Sequence, residues 1–217
     1  MAIAAINLFQ MSSLRMCMRR IFLAFAVIVA AVPMCLLAAA EWVAAEHHLE
    51  PGDHAVAAII FFTPDDQKRH SYERIAADLF FEGKVEQIVC VGGARPHRNY
   101  FGSHEVGVSL QAMGVPAASL QCGDRASDDS RSNLVRANEV LGPADLRRSV
   151  LVADRLHGMR LMAQARMALG QTPRWMAAPD YLSAVDGVIR SYWELAAWVS
   201  LALPASWYRA LVNASRS

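Results

Sequence analysis

The chain has 217 residues, with 21 lysines and arginines set against 20 aspartates and glutamates, for a formal net charge of +1. That length allows one domain plus appendages, and so even a balance argues against a nucleic-acid partner. Hydrophobic residues make up 54% of the chain, high for a soluble protein, and they are unevenly placed.

The N-terminus holds part of that excess. Arg15, Arg19 and Arg20 precede residues 21–40, a stretch without a charge. Such a stretch can span a bilayer, with its basic flank kept on the cytoplasmic side. The rival reading is a cleaved signal peptide, with Pro33 as breaker and Ala38-Ala39-Ala40 as cleavage site. The apolar character continues through Trp42 and Val43, which favours an anchor over residues 21–45. Either reading exports the domain that follows. Residues 1–20 form a basic cytoplasmic N-terminus, of which residues 1–14 fit no folded element. Residues 46–54 read as a polar linker.

Residues 55–62 form a continuous apolar run, as in a strand buried on both faces. After the turn Thr63-Pro64-Asp65-Asp66, Tyr72, Ile75, Ala76, Leu79 and Phe80 mark a helix face that Gly83 ends. Residues 87–91 are a second short strand, followed by Gly92-Gly93 and a basic loop, residues 94–102, that contains Arg95. Two glycines at a strand end let backbone approach a ligand closely, so this loop could hold a phosphate; simple use as a turn is the other reading. Ser103 can cap a helix with Glu105 in its first turn, where a carboxylate also complements the helix dipole. Residues 115–120 lead into a short strand. The polar stretch 124–133 offers several N-caps before a helix carrying Leu134, Ala137, Val140 and Leu141, stopped by Gly142-Pro143.

Residues 150–170 are the clearest unit. An apolar run, Val150-Leu151-Val152-Ala153, ends in a polar turn at Asp154. Met159, Met162, Ala163 and Met167 then recur at helical spacing until Gly170. His157 and Arg160 sit one turn apart in that helix's first turn, where free backbone N–H groups and the positive dipole end also point. The alternative is that His157 caps the helix or is a buried polar residue and Arg160 is a surface charge. Residues 173–177 are a last strand. Residues 181–217 interleave Tyr192, Trp193, Trp198, Trp207 and Tyr208 with an uncharged stretch broken at Pro204. This segment is either an interfacial helix beside the anchor or a helix closing the domain.

Strands alternating with helices imply βαβ units, hence an α/β domain over residues 55–180 with a mainly parallel sheet and helices on both faces. Of the cysteines, Cys17 and Cys35 belong to the targeting segment, Cys90 to a buried strand and Cys122 to a loop. An oxidising compartment would permit a Cys90–Cys122 disulfide, and isolated cysteines are also found unpaired. No Cys/His spacing resembles a zinc site, and no metal or other cofactor is named by the residues. The lack of Gly-x-Gly-x-x-Gly after the first strand argues against a dinucleotide dehydrogenase, and the lack of Gly-x-Ser-x-Gly against a serine hydrolase of the α/β type.

Four signals, in this order, resemble the YdcF/SanA/ElyC-like family of bacterial envelope proteins. They are the second strand followed by Gly92-Gly93, and Ser103-His104-Glu105 followed by Met113-Gly114-Val115-Pro116. The other two are Ser127-Asp128-Asp129-Ser130-Arg131-Ser132-Asn133 and His157-Gly158-Met159-Arg160. The resemblance covers about residues 55–170. It implies a three-layer α/β/α, Rossmann-like domain, held at the bacterial inner membrane by one N-terminal helix, facing the periplasm and tied to peptidoglycan or lipid-carrier metabolism. Several family positions differ: Val91 stands for Ser, Ser132 for Glu, Ala153-Asp154 for Thr-Ser, Leu156 for Tyr and Gly158 for Met. The family pattern retains Glu105, Asp129, Ser130, Asn133, His157 and Arg160.

On this reading the ligand is an anionic phosphorylated small molecule or a lipid-linked precursor. Arg160, Arg95, the Gly92-Gly93 amides and helix N-termini would bind the anion. His157 would be general acid or base, with Glu105 or Asp129 orienting it; Asn133 and Ser130 would position the substrate. The alternative is a non-catalytic module that uses the same pocket to bind an anionic ligand or to scaffold envelope proteins.

Overall fold

A computed structural model describes residues 2–50, 52–127, 129–179, 184–201 and 207. Five strands, β1 (Ala55–Phe61), β2 (Val85–Val91), β5 (Leu120–Gln121), β6 (Val150–Asp154) and β7 (Arg174–Ala178), form one sheet in the order β5-β2-β1-β6-β7. Every pairing in it is parallel. The helices are α1 (Ala2–Glu46), α2 (Asp66–Phe81), α3 (Gly102–Ala112), α4 (Ser130–Leu141), α5 (Pro143–Arg147), α6 (Arg155–Leu169) and α7 (Ala184–Leu201). The basic loop after β2 is not wholly irregular. Ala94–Arg95 (β3) and Tyr100–Phe101 (β4) pair as a small antiparallel ribbon around a 3₁₀ turn, Pro96–Arg98.

The continuous apolar runs of β1 and β6 follow from burial on both faces, and every residue of both strands is buried. Alternation sorts their side chains into two cores. Ile59, Phe61, Val89, Val91, Leu151 and Ala153 pack with α4, α5 and α6, whereas Ala58, Ile60, Ile88, Cys90, Val150 and Val152 pack with α2 and α3. Trp175 of β7 is fully buried, and a Cβ added at Gly158 would lie within 2.3 Å of its indole ring. Glycine is therefore required there for α6 to reach the sheet.

Cys90 and Cys122 are joined by a disulfide with Cα atoms 4.5 Å apart. The strand register explains it: Ile88 pairs with Leu120 and Val89 with Gln121, so Cys122 follows directly opposite Cys90. Gly107 of α3 lies so close that its added Cβ would stand 2.8 Å from the Cβ of Cys122.

Four boundaries differ from expectation. Residues 2–20, expected to lack a folded element over their first part, continue helically into α1, which passes Pro33 without ending. The linker is packed: α1 extends to Glu46, Leu49 is buried, and the His47 carbonyl accepts the Trp175 N–H at 2.9 Å along the edge of β7. Ser103 does not cap α3, which starts at Gly102; its hydroxyl donates to the Asp124 carbonyl at 2.9 Å. After Gly142, Pro143 opens the short helix α5, because proline's fixed φ suits a first helical turn. The break expected at Pro204, and Tyr208, lie outside the described residues.

Among the described residues one helix, α1, is long and apolar enough to cross a membrane, with a mean hydropathy of 1.5 over Val29–Glu46. Its last turns also belong to the domain. Ala40 and Ala44 are buried in the core shared with α6, with Leu36, Leu37 and Val43 packed against it, and Glu41 pairs with Arg155. The Ala38-Ala39-Ala40 segment thus lies inside an unbroken helix.

Candidate functional site

The strand order positions the site. The chain builds β1, β2 and β5 outwards to one side, then returns to the other side of β1 for β6 and β7. The connections therefore diverge at the C-terminal ends of β1 and β6, the crevice where open parallel sheets bind ligands. Two polar regions occupy this rim.

The first is closed. Asp154 ends β6 and caps α6, its carboxylate accepting the His157 N–H at 3.0 Å. Lys68 and Tyr72, one turn apart on α2, reach the same carboxylate at 3.2 and 2.8 Å, and the Tyr72 hydroxyl also accepts the Asp154 N–H at 3.0 Å. Burial works against ionisation of Asp154, but the cationic groups around it and the His157 N–H hold its carboxyl below the usual range. Burial and the Asp154 charge push the Tyr72 phenol up. Farther along α6, Arg160 donates to Glu194 of α7 at 2.7 Å and to the Ser130 hydroxyl at 3.2 Å. Arg190 bonds the other Glu194 oxygen at 3.0 Å. Burial alone would raise the Glu194 carboxyl; the Arg160 guanidinium beside it lowers it instead.

His157 stands at the centre of this region. Its Nε2 lies 3.3 Å from the Ser130 hydroxyl, and its ring meets Phe61 edge-on at 6.0 Å. Burial, and then the Arg160 charge, push its imidazole down to about 4. At neutral pH it is uncharged, a weak base without an acidic proton to give.

The second region is open. Phe62, Pro64, Asp66, Arg69, Arg95, Arg98, Tyr100 and Glu105 line a cleft of about 520 Å³. Arg69 is held by Asp66 at 2.6 Å and lies 5.7 Å above the Phe62 ring. Arg95 and Arg98 make no ion pair with the described residues. Glu105 accepts the Tyr100 hydroxyl at 2.8 Å, and partial burial together with that bond pushes the Tyr100 phenol up to about 12. The Phe62 ring fills the space beside Gly93 and Gly102, where an added Cβ would come within 2.6 Å of it.

The residues expected to act together are thus divided. Arg95 and Glu105 line the cleft; His157, Arg160 and Ser130 share the closed region. Neither carboxylate expected to orient His157 is bonded to it. Glu105 is engaged by Tyr100, and Asp129 caps α4 by accepting the Ser132 N–H at 2.8 Å. Asp154 occupies that position instead, through the backbone. The Gly92 amide is not available to an anion, because it donates to Asp124 at 3.2 Å and Ser127 at 3.1 Å. Gly92 serves packing: with φ of +95° it abuts Asn133, whose side-chain nitrogen would be 2.7 Å from an added Cβ. Asn133 is buried there, and its carbonyl oxygen has no hydrogen-bond partner among the described residues. Lys68, Arg69, Tyr72, Arg190 and Glu194 were not legible as site residues. The one local signal was for Asp154, an aspartate between an apolar run and a helix. Among the described residues no three His, Cys, Asp or Glu side chains converge as metal ligands would.

No protein-family model and no curated protein matches this chain.

Proposed function

We propose that this chain is a divergent YdcF/SanA/ElyC-like protein with a three-layer, Rossmann-like domain. It is tethered to the bacterial inner membrane by α1, faces the periplasm, and binds a phosphorylated small molecule or lipid-linked precursor. The observation that carries the ligand class is the open cleft, in which Arg95 and Arg98 face a void of about 520 Å³ without carboxylate partners. Guanidinium groups match phosphate oxygens in pairs, and they are more weakly hydrated than ammonium groups, so they give up water readily to an anion. Support for the fold label comes from the strand order, which reverses direction at β1.

Hydrolysis of that ligand is the second reading, favoured by the pair formed by Ser130 and His157 at 3.3 Å. Binding is preferred because His157 is pushed down to about 4 and Arg160 is already engaged by Glu194. The deciding experiment is thermal unfolding of the full chain in detergent with inorganic phosphate, pyrophosphate or a nucleotide-sugar. A rise in melting temperature that the R95A/R98A pair abolishes is the expected result. The absence of any shift would end the proposal, and phosphate release lost in H157A would move it to hydrolysis.

A further inference from the structure

The helix α7 is built inside out. The charged and polar side chains of its central turns point inwards: Glu194 is 3% exposed and Ser191 fully buried, while Arg190 reaches Glu194 beneath the helix. The opposite face, made by Val185, Val188, Ile189, Trp193, Leu195 and Val199, is exposed, and its charge is confined to Asp186 at its edge in the first turn. Trp193 alone is 70% exposed. A surface helix in water has the reverse polarity, since apolar burial is what holds it to a domain. A contiguous apolar face of this kind marks a surface that meets something other than water.

What it meets follows from its neighbour. Tyr192 donates its hydroxyl to the carbonyl of Val29 on α1. That bond sets the middle of α7 level with the uncharged stretch of α1, whose own exposed side chains there include Phe22, Leu23 and Val27. The two apolar surfaces therefore lie at one depth. We infer that the outer face of α7 is seated in the phospholipid bilayer beside α1 and gives the domain a second membrane contact. This rests on α1 being membrane-spanning. Lipid satisfies the exposed face without any partner protein, and tryptophan is well suited to the boundary between headgroups and acyl chains. The inward face joins this contact to the site, because Glu194 and Arg190 on α7 complete the network around Arg160. The seated face thereby places the rim at the membrane surface, where a lipid-linked phosphate would be presented.

The test uses the full chain in phosphatidylcholine and phosphatidylglycerol vesicles with brominated or ordinary acyl chains. Subtracting the emission of the W193F variant from that of the wild type isolates Trp193. The expected result is that this difference emission is largely lost in brominated vesicles and is untouched by aqueous iodide. Introducing V188D/I189D should reverse both, restoring the emission and opening it to iodide, while the disulfide and the melting transition confirm that the domain is folded. Emission that iodide quenches in the wild type overturns the inference, since the face is then in water. Emission that neither reagent quenches overturns it too, since protein then covers the face. Flotation of the chain with vesicles separates these results from failure of α1: a chain that does not float removes both the anchor and the inference. The phosphate-binding test stands apart from all of these outcomes.

Discussion

The closed region around His157 and the open cleft around Arg95 hold the same formal charges. The first sets Lys68, Arg160 and Arg190 against Asp154 and Glu194; the second sets Arg69, Arg95 and Arg98 against Asp66 and Glu105. They differ in how those charges are held. In the closed region each cation is bonded to a carboxylate, and burial, with Arg160 beside it, keeps His157 from adding a further positive charge. In the cleft, Arg95 and Arg98 line the void without an ion pair to any described residue. Charge count does not separate a structural network from a binding surface; the partners of each charge do.

The largest test of this contrast is Asp154→Ala. It removes the Asp154 carboxylate from Lys68 and Tyr72 and takes away the cap of α6. A loss of about 3–5 kcal/mol is expected for breaking a buried pair, read by denaturant unfolding. An effect below that range would show that the closed region is not what holds α2 to α6.

Acidification is the second test. The unfolded imidazole binds a proton near its ordinary value, whereas folded His157 resists until about 4. Between about pH 6.5 and 4 the unfolded state therefore takes up more protons, and stability falls as pH falls, by up to about 1.4 kcal/mol per unit and about 3 kcal/mol in all. The depressed Asp154 carboxyl acts in the same direction, but below its ordinary range near 3.8. In H157F the loss between about 6.5 and 5 should vanish, leaving only the fall that the lowered Glu194 carboxyl brings near its ordinary value of 4.5 and below, which unfolding at stepped pH would show.

Ser130→Ala should cost less, about 1.5 kcal/mol, since it removes the bond from Arg160 and the contact with His157 while Arg160 keeps Glu194. It should also leave phosphate-induced stabilisation intact if binding belongs to the cleft. The smallest stability change belongs to R95A/R98A, within about 0.5 kcal/mol for an exposed Arg98 and a half-buried Arg95 that make no ion pair with the described residues, together with complete loss of that stabilisation. If the double variant unfolded the domain, the distinction between the regions would collapse.

Legibility in the sequence followed the range of the interactions. The strand, turn and helix of residues 150–170 could be read because each signal is local: a buried run, an aspartate cap, a helical stripe and a left-handed glycine at Gly170. Gly92-Gly93 read as a special turn for the same reason, although its amide proved to serve the Asp124 loop rather than a ligand. The disulfide could not be read, because nothing near Cys90 or Cys122 shows that β5 pairs with β2. Glu194 lies far along the chain from Arg160, and its inward placement contradicts the usual rule for a charged residue on a surface helix. Arg69 lies in the first turns of α2 and joins the cleft only because β1 delivers that turn beside the β3–β4 ribbon. Glu105 and Asp129 both sit where a helix begins, and in each case a neighbour in the chain claims the carboxylate.

The union of α1 with the core has a mechanical consequence. A domain on a loose linker could tumble and sample a hemisphere above its attachment point. Here Ala40 and Ala44 are inside the core and no free joint separates helix from sheet. The helix works as a rigid mast, so any tilt it adopts is transmitted whole to the strands. On the proposed membrane reading, the rim is then held at one height and one heading, and its encounters become a search in two dimensions.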